Sequence, residues 1–303
     1  MQNQRNNSDE QWTILKLLNW TTSYFKSHQI DSPRATAEIL LAHTLDVKRI
    51  DLYLRYDQPL SRNELTLFKD LIKRRINREP VAYIVGHKEF WALDLKVARE
   101  VLIPRPETEC LVESILELRR GEVPTRAERV LELGTGSGAI VLALASQQAD
   151  NIFYALDIST QALTLARENA RRLGWADRIH FLVGDWFDPL NDHGQLFDLI
   201  VSNPPYIATP VIEQLQLEIQ NWEPRQALDG DLDGLKHLRN IIERAHSFLV
   251  PGGHLALEIG HDQKAAVGDI VATCGIYENL RFKQDYGGYD RVALMRKKSI
   301  APK

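Results

Sequence analysis

The spacing of apolar positions changes twice along the chain. From Trp12 to about Arg78 it is helical. Trp12, Leu15, Leu18 and Phe25 mark a first stripe. Asp31-Ser32-Pro33 then opens a second helix, with Ser32 at the N-cap and Pro33 at the first helical position, where a missing N–H is tolerated. Ala37, Leu40, Leu41 and Leu45 continue its apolar face. Ser61 begins a third helix, and Glu64 completes a capping-box pattern ahead of Leu65, Phe68, Leu71, Ile72 and Ile76. These stretches predict a small helical domain over residues 1–85, frayed across residues 1–10.

Between Gly86 and Pro104 the period drops to two. Lys88–Trp91 and Leu93–Val97 alternate as short strands do and predict a β-hairpin linker over residues 86–104. Pro104-Arg105-Pro106 closes it, and Glu107–Arg120 reads as a helix. From Arg129 strands and helices alternate. Strands are expected at Val130–Leu133, Ile152–Asp157, Ile179–Val183, Leu199–Ser202, His254–Ile259, Leu280–Lys283 and Val292–Met295. Helices are expected at Ala139–Gln147, Thr160–Leu173, Gly234–Leu249 and Gln263–Thr273. Alternation of this kind predicts an α/β domain over residues 105–303, its mostly parallel sheet covered by helices on both faces.

Composition narrows the class. A chain of 303 residues with 44% hydrophobic content is long enough for one large domain and a smaller one. The net charge is −4, unevenly spread: Met1–Val85 carries 13 Lys+Arg against 10 Asp+Glu, and the remainder 24 against 31. A general nucleic-acid binder carries a strong basic excess, which is absent. The mildly basic helical part could face an acidic partner or a ribonucleoprotein; a solvated helical surface is the simpler alternative. Cys110 and Cys274 stand apart and outside any ligand-like cluster, so neither a disulfide framework nor a metal site is expected. The N-terminus is polar and no apolar run approaches bilayer length, which predicts a cytoplasmic location and no membrane partner.

The candidate chemistry lies at strand ends. Val130–Leu133 runs into Gly134-Thr135-Gly136-Ser137-Gly138 and then directly into a helix. Glycines there let the backbone approach a ligand, and the helix N-terminus offers unpaired N–H groups. Alone this turn is a weak signal, also compatible with a dinucleotide enzyme, although the dinucleotide spacing of glycines is not met. The second strand ends in Asp157, placed to accept from both hydroxyls of a ribose. The third ends in Gly184-Asp185-Trp186-Phe187, where Asp185 could accept from an adenine amino group and Trp186 cover its ring. Helix capping is the alternative for the two aspartates, and a core position for Trp186. Ligands in open α/β sheets bind at the carboxyl ends of strands, where all three features fall.

The fourth strand ends in Asn203-Pro204-Pro205-Tyr206. Two prolines stiffen the loop and donate no N–H. The Asn203 side-chain carbonyl and the Pro204 carbonyl can then accept from a planar NH2 group, with Tyr206 as its stacking face. An amide nitrogen is a poor nucleophile because its lone pair is delocalised. Accepting from both of its N–H groups raises electron density on it and fixes its direction of attack. No general base is evident nearby.

These stretches resemble the class I S-adenosylmethionine-dependent methyltransferases that act on planar amino groups. More narrowly, the chain resembles the protein-(glutamine-N5) methyltransferases of peptide chain release factors. Leu102–Glu109, Glu223–Leu228, Asp233-Gly234-Leu235, Pro251-Gly252-Gly253, Glu258-Ile259-Gly260 and Asp285–Arg291 carry the same resemblance, which covers nearly the whole chain. It implies a seven-stranded sheet with one antiparallel edge strand and S-adenosylmethionine as cofactor. It further implies that Gly134–Gly138, Asp157, Trp186 and Asn203 hold that cofactor, joined by Asp185, and that Asn203–Tyr206 grip the glutamine of a release-factor GGQ loop. Three other readings stand beside it: a ribosomal-protein glutamine methyltransferase, an adenine-N6 DNA methyltransferase and a non-catalytic S-adenosylmethionine-binding protein. The acidic catalytic part fits a base-flipping enzyme poorly, and an intact Asn-Pro-Pro-Tyr speaks against a non-catalytic role.

Overall fold

The computed structural model describes residues 11–118, 126–190 and 196–299. The frayed tail expected over residues 1–10, and the end of the helix expected to reach Arg120, lie outside the described residues. Two compact units divide the chain, Met1–Gly86 and His87–Lys303.

The first unit holds α1 (Ile14–Ser27), α2 (Pro33–Leu45), α3 (Arg49–Leu54), α4 (Arg62–Ile76) and α5 (Val81–Val85). The first stripe needs correction. The helix begins after Trp12, with the Thr13 hydroxyl accepting from Lys16 N. Its buried face is Ile14, Leu17, Leu18, Thr21 and Phe25, which leaves Trp12 39% and Leu15 41% exposed. At 100° per residue, Leu15 falls well to one side of the line through Ile14, Thr21 and Phe25. Ser32 also differs from expectation: it stands before α2 in a left-handed conformation (φ 46°) and makes no side-chain cap. A capping side chain reaches the N2 or N3 N–H from an extended backbone, which Ser32 does not adopt. The capping box of α4 forms as predicted, Glu64 N donating to Ser61 Oγ (3.3 Å) and Ser61 N to Glu64 Oε2 (2.6 Å). Phe68 and Ile72 then enter the core with Leu40 and Leu41.

In the second unit β1 (His87–Phe90) and β2 (Leu93–Lys96) form the expected hairpin around Trp91 and Ala92, both at positive φ. The hairpin is fastened to this unit. Asn169, fully buried, accepts from Lys96 N and donates to Lys96 O and Ser137 O. There follow α6 (Glu109–Leu118), β3 (Arg129–Leu133), α7 (Ala139–Gln147), β4 (Ile152–Asp157), α8 (Thr160–Arg172), β5 (Ile179–Val183) and β6 (Phe197–Ser202). Short α9 (Thr209–Ile212) and α10 (Leu217–Trp222) precede α11 (Lys236–Ala245), β7 (Leu249–Glu258), α12 (Lys264–Cys274), β8 (Tyr277–Gln284) and β9 (Asp290–Lys297).

The seven strands lie in the order β5-β4-β3-β6-β7-β9-β8. Alternate residues serve opposite faces, as strand geometry requires. Val130, Leu199, Val201, Ala256, Val292 and Leu294 pack with α6 and α7. Leu131, Leu133, Ile200, Leu255, Leu257 and Met295 pack with α11 and α12. The fold is therefore the expected α/β sheet covered on both sides, with one correction. The reversed strand, β9, is not at the edge; it inserts between β7 and β8, antiparallel to both. The strand order turns around between β3 and β6, so the loops after these two strands leave the sheet in opposite directions and open a crevice between them.

Among the described residues no helix is long and apolar enough to cross a membrane.

Candidate active site

A cavity of about 490 Å³ occupies this crevice. Gly134, Thr135, Gly136 and Ser137 form part of its lining, with Asp157, Asp185, Trp186, Asn203 and Pro205. Gly138, Pro204 and Tyr206 stand outside the lining.

The glycine turn is held from below. Gly134 N and Thr135 N both donate to Leu156 O, at 2.8 and 3.0 Å. Gly134, Gly136 and Gly138 take φ of +70°, +54° and +84°, a region costly for other residues. A Cβ at Gly138 would press on Leu142 and Ala166, so this glycine lets α7 approach α8. Gly136 N donates to Asp157 Oδ2 (2.8 Å), and Ser159 N to Asp157 Oδ1 (2.9 Å). Asp157 thus ties the turn after β3 to the start of α8. It is 9% exposed, and burial pushes its carboxyl above the usual range. Ile158 N adds a third backbone donor, and the carboxylate's acceptor sites leave room for a further one. Trp186 packs against the core cluster that includes α11 and also lines the cavity.

Glu132 also lines the cavity and was not singled out from the sequence. It is 1% exposed, accepts from Thr135 Oγ1 (2.6 Å) and Val141 N (3.2 Å), and burial raises its carboxyl to about 8. An acidic residue within the apolar run Val130–Leu133 was the available signal. His237, at the start of α11, is a second such residue; its ring lies 5.2 Å from that of Trp186, and burial lowers its pKa.

The loop after β6 is braced by segments far away in sequence. Asn203 Nδ2 donates to Thr108 Oγ1 (3.3 Å). The Tyr206 hydroxyl donates to Glu258 Oε1 (3.1 Å), at the end of β7. Gln263 Nε2 donates to Tyr206 O (2.9 Å) and Gly234 O (3.1 Å), while Gly260 N donates to Gln263 Oε1. Ile207 N donates to Leu228 O, and Gly230 N to Ile207 O. Glu223 accepts from Arg105 Nη2 and Ile103 N. Arg291 bonds Asp285 and Ile259 O. Most of the distant stretches that carried the family resemblance therefore converge on this loop or its supports.

A family model described as a methyltransferase domain matches residues 124–287, and one described as the PrmC N-terminal domain matches residues 16–86. The release factor glutamine methyltransferase of Geobacter sulfurreducens is 42% identical over 283 residues, 93% of this chain and 96% of that protein. The chain belongs to the release factor glutamine methyltransferase family. The family's member from Vibrio cholerae is 43% identical over 285 residues, again covering 93% and 96% of the two chains. Among solved structures, the hMettl16 catalytic domain superposes with a TM-score of 0.55 at 16% identity, covering 77% of this chain and 83% of that one. A human methyltransferase 10 domain containing protein gives 0.51 at 16% identity, over 80% and 100%. At such identities the two structures speak for the fold alone, that of a methyltransferase catalytic domain.

Proposed function

We propose that the protein transfers a methyl group from S-adenosylmethionine to the side-chain amide nitrogen of a glutamine in a peptide chain release factor, the glutamine of its GGQ loop. The observation that carries this reading is the position of Asn203-Pro204-Pro205-Tyr206. It leaves β6 at the switch point, and its Asn203 and Pro205 line one cavity with the glycine turn and Asp157. The full-length kinship with release factor glutamine methyltransferases supports the choice of substrate.

The residues present suit the cofactor. Asp157 keeps acceptor capacity for a ribose hydroxyl, and Asp185 and Trp186 offer an acceptor and a ring for the adenine. Open space stands where side chains at Gly134 and Gly136 would be, so the turn lets the ligand lie against backbone. When bound, S-adenosylmethionine supplies a methyl group on a positively charged sulfur. On the other side Asn203 Oδ1 and Pro204 O accept from the two N–H bonds of the glutamine amide, and Tyr206 supports its plane. Holding both N–H bonds leaves the nitrogen one free direction, and orientation of this kind supplies much of such an acceleration.

A lone glutamine on a flexible loop gives little area, whereas a stable complex covers roughly 800 Å² on each partner. The helical unit is the natural second contact. Trp12, Trp20, Tyr24 and His28 form a ladder along α1 with ring separations of 6.2, 5.0 and 4.2 Å, and Ile50, Tyr53 and Leu54 on α3 are more than half exposed. Residues 11–85 are thus proposed to dock a part of the release factor remote from the glutamine.

The test is to incubate the purified protein with labelled S-adenosylmethionine and, separately, release factor, ribosomal protein and adenine-containing DNA, then locate the label by mass spectrometry. Methyl on the GGQ glutamine is expected. Methyl on DNA adenine, or on a ribosomal protein in preference, would overturn the proposal.

A further inference from the structure

We infer that Glu258, acting through the hydroxyl of Thr108, decides which way the Asn203 side-chain amide faces, making both of them positioning residues for methyl transfer. This inference rests on the glutamine-methylating reading above.

An asparagine amide has an acceptor branch and a donor branch of nearly equal size, and only its hydrogen-bond partners tell them apart. Gripping a substrate NH2 requires Oδ1 toward the cavity. The flipped amide would set a donor against donors. Asn203 lines the cavity, and its other branch meets Thr108 Oγ1 at 3.3 Å. A threonine hydroxyl does not discriminate by itself, because it can donate to Oδ1 as readily as it accepts from Nδ2. The choice is made by where the Thr108 proton goes.

Glu258 supplies the destination. Its carboxyl is 1% exposed and ends β7, one residue beyond Leu257, the register partner of Ser202, and so beside Asn203. Oε1 accepts from Tyr206, whereas Oε2 has no partner of hydrogen-bonding geometry. Burial pushes the Glu258 carboxyl above the usual range; the Thr108 hydroxyl, within its reach, and Arg291 oppose that push. Leaving Oε2 unpaired in the interior is costly, so the Thr108 proton belongs on it. Thr108 then has only lone pairs to offer Asn203, and the amide must turn its NH2 to Thr108 and its oxygen to the cavity. One buried carboxyl thereby orients two residues of the acceptor loop, Tyr206 directly and Asn203 through Thr108.

Thr108→Val keeps the shape and removes the hydroxyl; Thr108→Ser keeps the hydroxyl. Steady-state methylation of release factor by the full chain should show kcat reduced about tenfold to a hundredfold in Thr108→Val, the range for losing an outer partner that orients a site residue. KM for release factor and Kd for S-adenosylmethionine should stay within about twofold, and Thr108→Ser should restore most of kcat. Glu258→Met should lose at least as much, and adding Thr108→Val to it should cost little more, since both act on one chain of bonds. Wild-type transfer to the glutamine together with near-normal kcat in Thr108→Val overturns this inference alone. So does a Thr108→Ser variant as slow as Thr108→Val. A wild type that leaves the release-factor glutamine unmodified overturns the functional reading and this inference with it.

Discussion

Replacing Asp157 by alanine probes the proposed cofactor site at the point where its geometry is most fully determined. The side chain accepts from Gly136 N at 2.8 Å and from Ser159 N at 2.9 Å, and it is 9% exposed. Two effects combine in Asp157→Ala. The acceptor proposed for the ribose hydroxyls disappears, and two backbone N–H groups beside the cavity lose their partner, freeing the glycine turn. A hydrogen bond to a charged group is worth about 1.5–3 kcal/mol. Loss of one net ligand bond of that size weakens S-adenosylmethionine binding roughly 10- to 150-fold. Asp157→Asn is the sharper control. Its carbonyl can satisfy only one of the two backbone donors, and its NH2 is forced against the other, so it should bind nearly as weakly despite its shape. Isothermal titration with S-adenosylmethionine and S-adenosylhomocysteine gives the affinities, and urea unfolding shows how much of the loss is general destabilisation. A Kd for Asp157→Ala within twofold of wild type, at unchanged stability, would refute the reasoning.

Three further outcomes are expected. Asn203→Ala should lower kcat by roughly a hundredfold to a thousandfold, the range for removing one preorganised polar group, with a far smaller change in release-factor affinity; near-normal turnover at saturating cofactor would remove the amide grip. Glu132 is raised to about 8 in the folded protein, so from about pH 4.5 to 8 it is protonated when folded and ionised when unfolded. Stability should therefore fall as pH rises through that window and level off above it, a slope that Glu132→Gln should flatten in urea denaturation between pH 5 and 9. A chain beginning at His87 should bind S-adenosylmethionine in calorimetry yet methylate intact release factor much more slowly than the full chain does, whereas equal rates would exclude a docking role for the helical unit.

Long periodic elements were legible in the sequence because their burial is periodic: β3, β4, β5, α7 and α8 start and stop within a residue or so of expectation. The short α3, α5, α9 and α10 were not, since four to six residues carry less than two turns of pattern. Trp12 and Leu15 misled because an exposed large apolar residue reads like a buried one when spacing is the only evidence. The insertion of β9 between β7 and β8 was invisible for a different reason. Pattern tells which face a residue takes, not which strand lies beside it. In the site, Gly134–Ser137, Asp157, Asp185, Trp186 and Asn203 could be picked out because each closes a strand in an α/β alternation. Thr108 and Glu258 could not be assigned a part, for their partners lie 95 and 52 residues away along the chain, at Asn203 and Tyr206.

The same geometry accounts for acidic residues inside two of the most apolar strands. β3, β6 and β7 are neighbours, with Glu132 opposite Val201 and Leu257 opposite Ser202. Glu132 and Glu258 therefore flank the start of the Asn203 loop, each 1% exposed. Neither helps the sheet to pack, and each carries the cost of a buried carboxyl. What each does instead is hold a loop. Glu132 accepts from Thr135 in the glycine turn and from Val141 in the first turn of α7, while Glu258 holds Tyr206 and, through Thr108, Asn203. A purely apolar core would leave both loops to their own flexibility, and an amide nitrogen attacks productively only from a narrow range of directions. Local cost in β3 and β7 is thus the counterpart of rigidity in the two loops that face each other across the cavity, one on the proposed cofactor side and one on the glutamine side.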